Sequence, residues 1–283
     1  MPFHACRSHR IAIACLVPGL ALAACAPNQT DRVVLDSIDG VGQAATGIRW
    51  RTDDPILLAT TGPVSVDVDT FAGNISVRAN PTISETRVVV ERASHRGWFK
   101  YETAGDELAR IQYEVSLDRD LSGGEVVNVR ADHVGQMSVF GRANIRVETP
   151  ELESVRIRTT RGDVLVLDQR GEVDIRTTHG DVRVATPWPA RDAVSIVNQD
   201  GDVEYRVRGE STGRFDLETI NGVVNHRCKF GTWRGIGPDN RSDRIVAVLN
   251  NGDNPVTIRT TEGDIDVAIV PDPVGLGPFL TNR

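Results

Sequence analysis

Apolar and polar residues alternate along this chain in short runs, and one such run keeps returning. VDVDTFAGNISV from Val66, VRIRTTRGDVLV from Val155, VDIRTTHGDVRV from Val173, VSIVNQDGDVEY from Val194, FDLETINGVVNH from Phe215 and VTIRTTEGDIDV from Val256 share a frame. Apolar, polar and apolar positions come first. Three or four mostly polar residues follow, then Gly, usually Asp or Asn, and finally apolar, variable, apolar. A period of two marks a β-strand, whose successive side chains point to opposite faces. Each run therefore predicts two short strands around one corner. Val155, Ile157, Val164 and Val166 turn inward, and Arg156 with its counterparts Asp174, Ser195, Asp216 and Thr257 faces water. The inward set is mostly Val and Ile, as expected of strands.

The corner glycines at 162, 180, 201 and 222 recur about every 20 residues, and the step from 222 to 263 is about twice that. Ile245 to Leu249, followed by Asn251-Gly252-Asp253, reads as a shortened copy filling the gap. The period predicts an all-β chain, a parallel β-helix (β-solenoid) whose coils pair about 4.8 Å apart. One coil buries too little apolar surface to offset the ordering of its own backbone, so the coils must stack. An antiparallel β meander or sandwich is the competing geometry, because the same frame also describes a hairpin with a bulged glycine.

Gly73, Gly162, Gly180, Gly201, Gly222 and Gly263 mark corners expected to need positive φ. Asp163, Asp181, Asp202 and Asp264 follow four of them, where a carboxylate can bond neighbouring backbone. Arg161-Gly162-Asp163 spells the tripeptide of integrin ligands. The position before the glycine is also Ala72, His179, Asp200, Asn221 and Glu262, so the arginine is one draw among many and the Gly-Asp pair is turn chemistry.

Before the repeats, Arg7 and Arg10 precede an apolar run from Ile11 to Ala24, the anatomy of a secretory signal. The run is shorter than the ~20 residues of a membrane-spanning helix. It closes with Leu22-Ala23-Ala24-Cys25, which resembles the bacterial lipobox and implies lipidation of Cys25 and a membrane anchor. Cleavage after Ala21-Leu22-Ala23 is the alternative and would release a soluble protein. Ala26 is not the aspartate associated with inner-membrane retention, which points the anchored form to the outer membrane. With Cys6 and Cys15 removed and Cys25 lipidated, Cys228 stands alone and no internal disulfide forms. It reads as a small buried side chain despite His226 two positions away. The excess of 39 acidic over 32 basic residues widens when Arg7 and Arg10 leave, which argues against nucleic acid as a partner.

The frame VxIxTTxGDVxV, repeated behind an export signal, resembles the bacterial DUF4097-like family of adhesin-like proteins, across roughly Gly62 to Val270. The resemblance includes the lead-in ANIRVETPELESVRIRTTRGDVLV from Ala143. It implies a right-handed β-helix and carries no catalytic residues. The chain divides into a signal (1–24), a tether and lead-in (25–58), a solenoid domain (59–270) and a tail (271–283) opened by Pro271-Asp272-Pro273. TRVVVERA and ARIQYEVSL read as two longer strands joined by a polar loop, SHRGWFKYETAGDEL. In that loop Trp98, Phe99 and Tyr101 are candidate contact residues for protein or sugar, or a cap over an open end of the stack. Trp233 in KFGTWRGIGPDNRSDR could serve either purpose.

No catalytic motif, metal-ligand spacing or cofactor fingerprint is evident. His95, His133, His179 and His226 are scattered and read as surface or turn residues, and Val223 interrupts the column of corner acids that calcium would require. Two functions compete. One is a non-enzymatic envelope lipoprotein whose solenoid presents loops for protein or glycan contact. The other is a polysaccharide-active β-helix, a lyase or hydrolase.

Overall fold

The computed structural model describes residues 48–95, 101–120, 123–135, 140–238 and 240–275. In chain order the elements are β1 (Ile48–Thr52), β2 (Ile56–Leu58), β3 (Val64–Thr70), β4 (Ile75–Ala79), β5 (Thr86–His95), helix α1 (Tyr101–Arg110), β6 (Ile111–Arg119) and β7 (Glu125–His133). Then come β8 (Gly141–Thr149), β9 (Leu152–Arg161), β10 (Val164–Leu167), β11 (Val173–His179), β12 (Val182–Ala185), β13 (Val194–Val197) and β14 (Val203–Val207). The last are β15 (Gly213–Asn221), β16 (Val224–Cys228), β17 (Trp233–Gly235), β18 (Arg244–Leu249), β19 (Pro255–Glu262) and β20 (Ile265–Ile269).

Each repeat folds as its alternation requires. In β9, Val155, Ile157 and Thr159 are buried and Arg156, Arg158 and Thr160 exposed. The segment then turns at Gly162 into β10, where Val164 and Val166 are buried. The two halves do not pair with each other, as a hairpin would demand. β9 pairs in parallel with β11, setting Val155 beside Val173 and Ile157 beside Ile175, and β10 pairs in parallel with β12. The repeats thus build two sheets of stacked parallel strands enclosing one aliphatic core, which fits a solenoid and rules out the meander.

The rungs do not stack in the order of the chain. One sheet runs β7-β3-β9-β11-β13-β19-β15 and the other β8-β4-β10-β12-β14-β20-β16. At each end the chain reaches the outermost rung and then doubles back, so the rung from Val256 slots between those from Val194 and Phe215. Nearly identical inward faces make this insertion indistinguishable from simple succession in a sequence.

Antiparallel strands close the ends, as unpaired edges require. β5 lies antiparallel on β8 with β1 and β2 beyond it, and β6 lies antiparallel on β7. At the far end β18 lies antiparallel on β15, with β17 outside it. Two expectations are corrected here. Ile245 to Leu249 is no shortened coil but part of the antiparallel cap: it pairs antiparallel with β15, and the chain turns after it through Asn250 and Asn251, both left-handed, ahead of Gly252. The loop after β5 is not wholly irregular, since Tyr101–Arg110 is helical. The expected tether also contributes β1 and β2 to the sheet. Cys25, Trp98 and Phe99 lie outside the described residues. So does the side chain of Tyr101, although its backbone begins α1.

Candidate contact site

The corner glycines serve a stronger constraint than turn conformation alone. Gly73, Gly162, Gly180, Gly201 and Gly263 have φ between 122° and 135°. Gly222 does not adopt positive φ, contrary to expectation. What all six share is close approach to the preceding rung. A Cβ on Gly162 would lie 2.1 Å from the Gly73 carbonyl oxygen, and one on Gly222 would lie 2.0 Å from that of Gly263. At the corresponding position of the outermost rung stands Ala143, whose own carbonyl receives Gly73 and which has no further rung beneath it.

The acids after the glycines form a ladder between rungs. Asn144 Oδ1 accepts the amide of Asn74 at 2.9 Å, Asn74 Oδ1 that of Asp163 at 3.0 Å, and Asp163 Oδ1 that of Asp181 at 3.0 Å. Asp181 Oδ1 then accepts from Asp202 at 2.9 Å, Asp202 Oδ1 from Asp264 at 2.8 Å, and Asp264 Oδ1 from Val223 at 2.8 Å. Asn74 fills the Asp-or-Asn position of the copy from Val66, and Asn144 joins the column from the lead-in, where sequence reasoning did not single it out. Val223 is the terminal rung, which only donates, so its lack of a carboxylate leaves no gap in the ladder. The Arg161-Gly162-Asp163 triplet is one step of this device.

A second column was also missed. Thr70, Thr159, Thr177, Thr219 and Thr260 are buried, with Asn198 in the equivalent place. Their side chains bond corner carbonyls: Thr219 Oγ1 donates to Gly263 O at 2.8 Å, and Asn198 Nδ2 reaches both Gly180 O and Gly201 O at 3.0 Å. The first Thr of each TT pair was its signal, because a polar residue on the inward phase must find a partner.

Other ionisable groups are engaged in structural contacts. Arg156 bridges Asp67 and Asp174 across three rungs, and Arg259 pairs with Asp216 at 2.7 Å and with Glu218. Glu204 holds Arg183 and Arg206, while burial raises the neighbouring Asp266 carboxyl, which Asn225 partly offsets by donating to it at 3.0 Å. His133 is a correction: it is buried, with Nε2 2.9 Å from Glu107 Oε1, so that the pair ties α1 to β7. His226 stacks on Trp233 at 5.3 Å, and Trp233 packs against Phe215 at 4.9 Å, covering the core end. Cys228 is half-buried against the core, and burial pushes its thiol up, away from the nucleophilic thiolate. No cluster of metal-ligating side chains occurs among the described residues.

One concavity presents an aromatic residue. It lies at the corners opposite the glycines, where chain returns from the second sheet to the first, and encloses about 360 Å³. Pro81, Pro150, Pro187, Trp188, Asp168 and Arg170 line it. Trp188 is 42% exposed. It is bracketed by Pro187 and Pro189, which hold the backbone stiff on either side. Its amide donates to Thr186 Oγ1 at 3.2 Å. Arg170, paired with Glu151, places its guanidinium carbon 4.2 Å from the indole centroid. Asp168 has φ 65°, a left-handed conformation unusual outside glycine. Burial raises its carboxyl above the ordinary aspartate value, opposed by Arg78. The Pro-Trp-Pro triplet was the signal that could have found this place.

Stacked parallel rungs, a glycine and Asx corner, and antiparallel end caps define a class of all-β repeat protein. The chain belongs to the Toastrack DUF4097 family, whose model matches residues 65–268. Among solved structures, a "putative cell adhesion protein" from Clostridium sporogenes ATCC 15579 is similar with a TM-score of 0.56 at 10% identity, over 79% of this chain and 100% of that one. That likeness concerns the fold. A "putative adhesin" from Bacteroides fragilis NCTC 9343 aligns over 79% of this chain and 97% of its own at 12% identity, with a TM-score of only 0.28. No curated protein matches.

Proposed function

We propose that this protein is a non-enzymatic, adhesin-like component of the bacterial cell envelope, a right-handed parallel β-solenoid that offers a rigid surface for protein or glycan contact. The observation that carries the reading is the Asx ladder. The repeated column of corner carboxylates, where a solenoid enzyme could assemble an acid and a base, is engaged in holding rungs together. The right-handed sense is supported by the general rule for crossovers between parallel strands of one sheet. A lipid on Cys25 would hold the domain at the membrane, in the outer membrane of a Gram-negative cell given Ala26.

The test has two arms. Purified protein incubated with envelope and plant polysaccharides, with and without calcium, is expected to release no new reducing or unsaturated ends. Turnover that a single Asp or Arg substitution abolishes would overturn the reading. Cys25→Ala is expected to move the protein from the membrane to the soluble fraction, and unchanged membrane association would remove the anchor.

A further inference from the structure

Three features of the Trp188 cleft need a joint explanation. The Trp188 backbone is held before any ligand arrives by two flanking prolines and the hydrogen bond from its N–H to Thr186 Oγ1, and its indole by the stacked Arg170. Little conformational freedom is therefore left to lose on binding. Pro81, Pro150 and Pro187 add apolar surface around it. Asp168, held at φ 65° and half-buried, lines the same cleft. A non-glycine residue in a left-handed conformation costs free energy, and such residues cluster at binding sites and tight turns.

We propose that this cleft binds a neutral pyranose unit of a glycan, with the C–H face of the ring on Trp188 and the prolines and its hydroxyls donating to Asp168. A sugar ring offers an apolar face and equatorial hydroxyl donors in one small body, which matches an aromatic plate and a carboxylate acceptor lining one cleft. The volume, about 360 Å³, lies at the small end of ligand clefts and suits a single unit of a chain more than a folded partner. Charge disfavours an anionic sugar: Asp168 and Glu151 both face the cleft, and its arginine already neutralises Glu151. A proline-rich peptide would want a row of aromatic rings and has few donors for Asp168.

This inference rests on the contact reading for its purpose, and the experiment separates the two. The full-length protein is titrated calorimetrically with cellohexaose, chitohexaose, maltohexaose and mannohexaose, then with oligogalacturonate and a decaproline peptide. At least one neutral oligosaccharide is expected to bind. Trp188→Ala should weaken that binding about tenfold or more, the loss of one stacked ring. Asp168→Asn should weaken it as well, with no fall in melting temperature. Absence of binding by every neutral oligosaccharide, equal binding by Trp188→Ala, or binding of only the uronate or the peptide would overturn the proposal. Binding accompanied by cleavage of the oligosaccharide would keep the site and sink the non-enzymatic reading instead.

Discussion

Asp163 Oδ1 accepts the amide hydrogen of Asp181 at 3.0 Å, so a side chain on one rung is bonded to the backbone of the next, 18 residues along the chain. Strand pairing is broken at each corner, and this bond supplies the missing acceptor. The same residue type then repeats because every rung presents the same unsatisfied N–H.

If the ladder needs an oxygen and not a charge, Asp181→Asn should fold with almost unchanged stability, since its Oδ1 still accepts the Asp202 amide. Asp181→Ala removes the acceptor and should cost about 1–2 kcal/mol, comparable to losing a helix N-cap. Urea denaturation of both variants reads the difference. Equal losses would assign the role to the carboxylate charge.

The glycines should tolerate replacement even less. A Cβ at position 180 would sit 2.4 Å from the Gly162 carbonyl oxygen, at a residue whose φ is 125°. Gly180→Ala is therefore expected to lose more than about 3 kcal/mol, because backbone on two rungs must separate. Gly222→Ala should be comparably damaging without any φ penalty, from its approach to Gly263. Gly62→Ala, with nothing within 4 Å of the new methyl, is the control and should change stability little.

Glu107 and His133 make the buried contact that fixes α1, and both side chains are 1% exposed. Glu107→Ala would strand the imidazole without its partner and should cost about 1–3 kcal/mol, while Glu107→Gln, which keeps an oxygen in place, should cost less. Hydrogen exchange should show α1 opening first in the alanine variant.

The rungs were legible because a period of two and a repeated Gly-Asp corner are strictly local signals. Val155 and Ile157 fall on the inward phase wherever the segment goes. Which rung lies beside which was not legible, since Val173, Val194 and Val256 present interchangeable faces and only the long excursions through β5 to β7 and β17 to β18 decide the order. The buried role of His133 was hidden for a related reason: its partner Glu107 lies in a short, mostly polar segment that reads as a loop but folds as a helix. Asn144 was missed because Ala143, not a corner glycine, precedes it, and an inter-rung bond leaves no pattern within one copy. Trp188 stood outside the repeated frame, in the variable return corner, and so was passed over.

Asp168 offers the sharpest check on whether that corner is built for stability or for a ligand. Burial raises its folded carboxyl above 3.8, its ordinary value, so the native state binds a proton more readily than the unfolded chain. At pH 7 the ionised group destabilises the fold. As pH drops through the folded value towards 3.8 the native state is protonated first and the penalty is relieved, and below 3.8 no further gain remains. Asp168→Asn removes the buried charge and keeps a residue that accepts positive φ. The variant should therefore melt higher than wild type at pH 7, with the gap closing as both are acidified towards pH 4. Thermal melts of the pair across this range test the claim, and a variant less stable at pH 7 would mean that the carboxylate serves the fold. A gain in stability coupled to loss of sugar binding is what a residue kept for its ligand should give.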